Sequence, residues 1–182
     1  SANDVVVSNA SALSGTAQWI WRHVDNQLLP TQGYTGLAEL TLGQTYSALD
    51  STGTFTRAYG RITAYRPLPL NWHLTARAEA GQVSAGEDVS VPDTLLFRAG
   101  GDDSVRGYAY RSLGVKREGV TIGGRAMATA SVELAHPILQ RMPSLLGAVF
   151  VDAGDAAERM GDLRPKVGYG FGVRWRSPVG ML

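Results

Sequence analysis

Lys166-Val-Gly-Tyr-Gly-Phe-Gly-Val-Arg-Trp-Arg176 alternates without a break. Its even positions, Lys166, Gly168, Gly170, Gly172, Arg174 and Arg176, are charged or lack a side chain. Its odd positions, Val167, Tyr169, Phe171, Val173 and Trp175, are all apolar. Successive side chains of a strand point to opposite faces, so this segment reads as a strand with one apolar and one polar face. The pattern recurs. Trp72–Gly81 sets His73, Thr75, Arg77 and Glu79 against Trp72, Leu74, Ala76, Ala78 and Ala80. Arg125–Ala135 sets Arg125, Thr129, Ser131 and Glu133 against Ala126, Ala128, Ala130, Val132 and Leu134. Tyr34–Leu42, residues 54–66, Leu146–Gly154 and a weaker stretch at 16–25 complete seven strands of about nine to twelve residues. Helical periodicity is nearly absent.

Soluble antiparallel sandwiches and barrels alternate in the same way. Two features favour a membrane barrel. The strands exceed the ~5–6 residues usual in soluble sheets and match the ~9–11 needed to cross a bilayer at a tilt. The apolar faces also carry Trp19, Trp21, Tyr34, Trp72 and Trp175 near strand ends, as interfacial girdles do. Composition agrees: 18% of the 182 residues are charged and 22 are glycine. No apolar run approaches a spanning helix; Leu145–Val151 is the longest. The net charge of +1 gives no footprint for nucleic acid, and the absence of cysteine excludes disulfide scaffolds, zinc–thiolate sites and thiol catalysis. Ser1–Ser14 lacks the basic start and apolar core of a signal peptide, so an upstream segment is expected.

The connections sort by length. Residues 26–32, 67–71 and 137–145 are short and carry Pro30, Pro67, Pro69, Pro137 and Pro143. Between them fall the longer stretches 43–53, 84–122 and 155–165. Alternation of short and long connections predicts an up-and-down barrel, with short periplasmic turns and longer outside loops. Residues 84–122 far exceed an ordinary connection, and such loops usually carry function.

The centre of that loop reads Phe97-Arg-Ala-Gly-Gly-Asp-Asp-Ser-Val-Arg-Gly-Tyr108. As a phosphate cradle it lacks the Gly-Lys-Ser/Thr ending and a following helix. As a metal pair, Asp102 and Asp103 lack EF-hand spacing and a nearby His. Ala99-Gly-Gly-Asp102 followed by Ser104-Val-Arg-Gly-Tyr108 closely resembles the loop signature of the outer-membrane insertase superfamily, on its TamA and BamA side. The resemblance continues through Gly123-Gly-Arg, Ser131-Val-Glu-Leu134, Val149-Phe-Val-Asp-Ala-Gly154 and Gly170-Phe-Gly-Val-Arg-Trp-Arg-Ser-Pro-Val-Gly180. Upstream, Asp25-Asn-Gln-Leu-Leu-Pro-Thr-Gln-Gly-Tyr34 matches too. Asp155 departs from the Asn often found there, a change expected to be harmless.

In that family the long loop folds into the barrel lumen, and its Arg-Gly tip meets acidic residues on neighbouring strands. The resemblance therefore marks Val105, Arg106, Gly107 and Tyr108 as the tip. Strand parity supplies the partners: Glu133 lies on a polar face, and Asp152 shares parity with Ala148 and Phe150, opposite Val149 and Val151. Both carboxylates should point inward, towards Arg106, whose planar fork can bind two carboxylates and does not lose its proton. The other reading of Asp152 is a turn-forming residue at a strand end. Gly168, Gly170 and Gly172 lie on the polar face of one strand, either clearing room for the loop or marking a strong bend. Gly107 is expected to supply a backbone angle that other residues avoid.

The resemblance implies an all-β, antiparallel, up-and-down transmembrane barrel of sixteen strands. Residues 1–182 would be part of its C-terminal barrel domain, about the eighth to fourteenth strands, with POTRA domains upstream and the gate between first and last strands outside it. The implied function is assembly of β-barrel or autotransporter clients in the bacterial outer membrane, without nucleotide, metal or cofactor. The partners would be outer-membrane lipid, unfolded clients and an inner-membrane or periplasmic subunit. A two-partner secretion pore shares the Val-Arg-Gly-Tyr loop and is the alternative; a passive porin lacks it. A barrel lipase would need Ser and acid partners for His23, His73 or His136, and none stands at an obvious spacing. No enzyme activity is therefore expected.

Overall fold

The structure is a computed structural model that describes residues 10–47, 52–86, 88–117, 119–139, 141–177 and 180–181. One antiparallel sheet contains β1 (Ala10–Val24), β2 (Gly33–Ser47), β3 (Gly53–Leu68), β4 (Trp72–Ala85), β7 (Ala126–Leu139), β8 (Met142–Ala157), β9 (Lys166–Ser177) and β10 (Gly180–Met181), in that order. Between β4 and β7 the long loop carries a 3-10 turn at Asp93–Leu95 and a small hairpin of β5 (Val115–Arg117) with β6 (Val120–Ile122). Every strand of the sheet pairs with its neighbour in the chain, and β4 meets β7 directly across the loop. The sheet is open among the described residues, with β1 at one edge and β10 at the other.

The faces follow the alternation. On β9 the odd residues stand out of the sheet, with Tyr169 83% and Phe171 89% exposed, while Gly168 is buried and Arg174 and Arg176 are half-buried. Ile62, Leu40, Leu42, Val132, Val149 and Val151 are exposed on the same side. An apolar face left open to this extent belongs against lipid. Trp21, Tyr34, Trp72 and Trp175 are exposed near the rim that holds the turns 25–32 and 69–71, and Trp19 is exposed further along β1. They form one girdle.

Several boundaries differ from the pattern. Six of the long strands run 14 to 16 residues, longer than expected, β9 has 12 as expected, and β10 adds an eighth. Pro67 lies in β3, Pro137 in β7 and Pro143 in β8, not in turns; a register shift between Pro137 and Leu139 absorbs the missing donor. The connections are 25–32, 69–71 and 140–141 on one rim and 48–52, 86–125 and 158–165 on the other. Strict short–long alternation therefore fails, because 48–52 is shorter than 25–32. Residues 48–51 of the expected 43–53 loop lie outside the described residues.

At the loop-bearing rim, the strands extend because the inner face carries an apolar patch there. Phe55, Val83, Met127 and Ala156 share parity with the charged residues of their strands, yet are buried in one cluster with Val91, Phe97, Ala99, Val105 and Leu113 of the long loop. The inner face thus turns from charged to apolar where the loop covers it, and the ladders continue beneath. At the opposite rim Asp25 closes its turn, accepting the Thr31 hydroxyl at 2.5 Å and the Thr31 and Gln32 amides at 2.9 Å. Those donors, the Thr31 hydroxyl first, hold its carboxyl well below the usual carboxylate range.

Candidate functional site

The long loop presents Arg106 through a local scaffold. Ala99 and Leu113 pair as an isolated bridge, exchanging two hydrogen bonds of 2.9 Å. Gly100 and Gly101 follow with φ of 102° and 101°, a region that side-chain-bearing residues rarely adopt. The Ser104 hydroxyl accepts the Gly100 amide at 3.2 Å, and the Ser104 amide donates to Gly101 at 3.0 Å. Val105, fully buried, packs this turn into the core, and Gly107, with φ of 91°, reverses the chain after Arg106. The Tyr108 hydroxyl reaches the Val167 carbonyl at 3.4 Å.

Arg106 lies over two adjacent cross-strand rows, Ser131–Asp152–Gly168 and Glu133–Phe150–Gly170. Its Nε donates to Asp152 Oδ2 at 2.7 Å and its Nη2 to Oδ1 at 2.8 Å, a bidentate fork, while its own amide adds a bond of 3.0 Å to Oδ2. The other arm pairs with Glu133, and Nη2 also donates to Ser131 Oγ at 3.2 Å. Glu133 is shared with Arg174, whose Nη2 lies 2.7 Å from Oε2. Two arginines therefore balance two carboxylates. Beneath the guanidinium, the Phe150 ring centre is 3.5 Å away, so the cation also sits on an aromatic face. Asp152 is 0% exposed, so it would be stranded in low dielectric without this cation.

The three glycines differ. A Cβ on Gly168 would stand 2.0 Å from the Arg106 carbonyl oxygen, so only glycine lets the tip lie this close. A Cβ on Gly170 would stand 2.8 Å from the Phe150 ring, whose place under Arg106 depends on that space. Gly172 has nothing within 4 Å of that position and does not touch the loop. The histidines are dispersed: His23 stacks on Tyr34, His73 adjoins Arg176, and His136 meets the Leu70 carbonyl and Trp72. Asp155 accepts the Arg164 amide at 2.8 Å in the 158–165 connection, away from Arg106.

The sequence and the fold have counterparts among known proteins. The model of the Omp85 superfamily domain matches residues 6–182. The chain belongs to the Omp85 superfamily. It is 32% identical over 134 residues to outer membrane protein assembly factor BamA of Nitratidesulfovibrio vulgaris, a match covering 70% of this chain and 17% of that protein. It is 33% identical over 158 residues to the same-named factor of Neisseria meningitidis serogroup B, covering 77% of this chain and 18% of that protein. Among solved structures, BamA of Haemophilus ducreyi lacking POTRA domains 1–3 superposes with a TM-score of 0.74 at 23% identity, over 92% of this chain and 37% of that one. The chain thus spans under a fifth of the length of these curated relatives. It is a segment of an Omp85 outer-membrane barrel, whose polar inner face is the lumenal wall.

Ser131, Phe150 and Arg174 join the Arg106 cluster beyond the residues marked from sequence. Each shares lumenal parity with a marked acid or glycine, and parity was the available signal. Strand pairing selected among the many residues of that parity.

Proposed function

We propose that the complete protein assembles β-barrel clients, autotransporters among them, into the outer membrane without nucleotide or cofactor, and that it catalyses no covalent chemistry. The observation that carries this reading is the Arg106 cluster, set within an Omp85 domain whose named relatives are assembly factors. A loop held by a bidentate fork, a shared glutamate and an aromatic floor is fixed across the lumen, so the wall and loop act as one unit. A passive pore needs no such tether. Outer-membrane lipid and unfolded clients are the partners, together with a periplasmic or inner-membrane subunit.

The test is assembly from purified parts. The complete protein in liposomes, without nucleotide, is given a urea-denatured β-barrel client, and folding is read as heat-modifiable mobility. Accelerated folding over protein-free liposomes is expected. No acceleration, combined with passage of an unfolded exported chain through the same liposomes, would replace assembly by two-partner secretion.

A further inference from the structure

We infer that the long loop has a second anchor, a socket on β2–β4 that grips Phe97 and holds the loop's first limb independently of Arg106. Phe97 is buried against β3 and β4. Its ring lies under the Arg57 guanidinium, with the carbon 4.5 Å from the ring centre, and stacks on Tyr59 at 6.2 Å. Arg57 is itself fixed at both ends. Its Nε donates to the Leu95 carbonyl at 3.2 Å, and its Nη1 pairs with Glu39 of β2 at 3.3 Å. Tyr59 is held by a 2.8 Å hydrogen bond to Glu79 of β4. On the wall, a Cβ at Gly81 would stand 2.4 Å from the Phe97 ring tip, so this glycine leaves the space the ring fills. Cation, ring, clearance and backbone bond all converge on one loop residue.

The two anchors lie on different walls. Arg106 is held by β7, β8 and β9, whereas Phe97 is held by β2, β3 and β4. Their polar contacts share no residue, and Gly100–Gly101, in a backbone region open to glycine, separates them along the chain, while Val105 packs in the same buried cluster as Phe97. The base of the loop is stapled on the socket side: Phe97 pairs with Gly124, and Asp93 accepts the Gly123 amide at 2.9 Å and Arg98 at 2.7 Å. Releasing Arg106 should therefore loosen the tip around residues 104–108, while the Ala99–Leu113 bridge and the socket keep residues 91–99 seated. Neither anchor depends on what the complete barrel handles.

The experiment uses the complete protein in membranes, with single cysteines replacing Val91 near the socket or Val105 at the tip, both buried in the docked loop. Maleimide labelling rates report local opening at each. Arg106→Ala should speed labelling at 105 by about tenfold or more and leave 91 within about twofold. Phe97→Ala should speed labelling at 91. Should Phe97→Ala fail to assemble, Arg57→Gln tests the same point with the ring in place. If Arg106→Ala speeds both positions equally, the loop opens as one unit and the second anchor is refuted. Unchanged labelling at 91 in Arg57→Gln and Phe97→Ala refutes it equally.

Discussion

Arg106 makes more polar contacts than any other described residue of the loop, and its variants separate charge from geometry. Removing one partner of a buried pair costs about 3–5 kcal/mol, because the remaining charge is stranded. Asp152 is fully buried, while the Glu133 side chain retains 16% exposure, so lumenal water moderates only part of that cost. Arg106→Ala should loosen the tip and reduce client assembly while the barrel stays membrane-inserted, as read by protease sensitivity of the loop and heat-modifiability of the barrel. Arg106→Lys should rescue partly, since a point charge cannot reproduce a fork on Asp152 together with a second arm on Glu133. The glycines give a sharper contrast. Gly168→Ala drives a methyl into the Arg106 carbonyl and should increase tip proteolysis several-fold, by order of magnitude ~1–2 kcal/mol of strain. Gly172→Ala meets open space and should leave proteolysis unchanged. Equal effects would mean that both glycines serve only sheet bending.

The strands were legible where one face meets lipid and the other meets water. Lys166–Arg176 keeps that alternation throughout, with small or charged residues inward even where the tip covers Gly168, and its expected start and faces agree with the structure. The condition fails at the loop-bearing rim: Phe55, Val83, Met127 and Ala156 face inward yet are apolar, so the alternation that reveals a strand is lost where the loop supplies a second hydrophobic partner. Register carries its own test. Val173 faces outward and Arg174 reaches Glu133, so Val173→Arg should impair assembly at ~2–4 kcal/mol near the bilayer midplane, and less towards the interface. Arg174→Val should be milder, because Arg106 continues to neutralise Glu133. If Val173→Arg is tolerated and Arg174→Val abolishes membrane insertion, the register is off by one residue. The Phe97 socket was invisible to the sequence for a related reason. Arg57, Tyr59 and Gly81 meet only through strand pairing, and no spacing along the chain announces them.

At the scale of the molecule, a sheet with one lipid face and one lumenal face is tied to a loop that crosses the lumenal side. The resemblance of Ser104-Val-Arg-Gly-Tyr108 to the insertase loop marked the tip, and strand parity marked Glu133 and Asp152, which the structure places against Arg106. Orientation in the cell follows from the two rims. Cysteines at Arg159 and Leu70, both exposed and on opposite rims, should differ in intact cells: an impermeant reagent labels position 159 and not position 70. The reverse result would invert the topology. Arg106 holds the loop against the lumenal wall. The most direct measurement is an experimental structure of the complete protein in a lipid nanodisc. The Arg106 guanidinium should lie within about 4 Å of both Asp152 and Glu133, on the lumenal side of β7 and β8. A guanidinium on the outer surface, beyond that distance from both carboxylates, would contradict it.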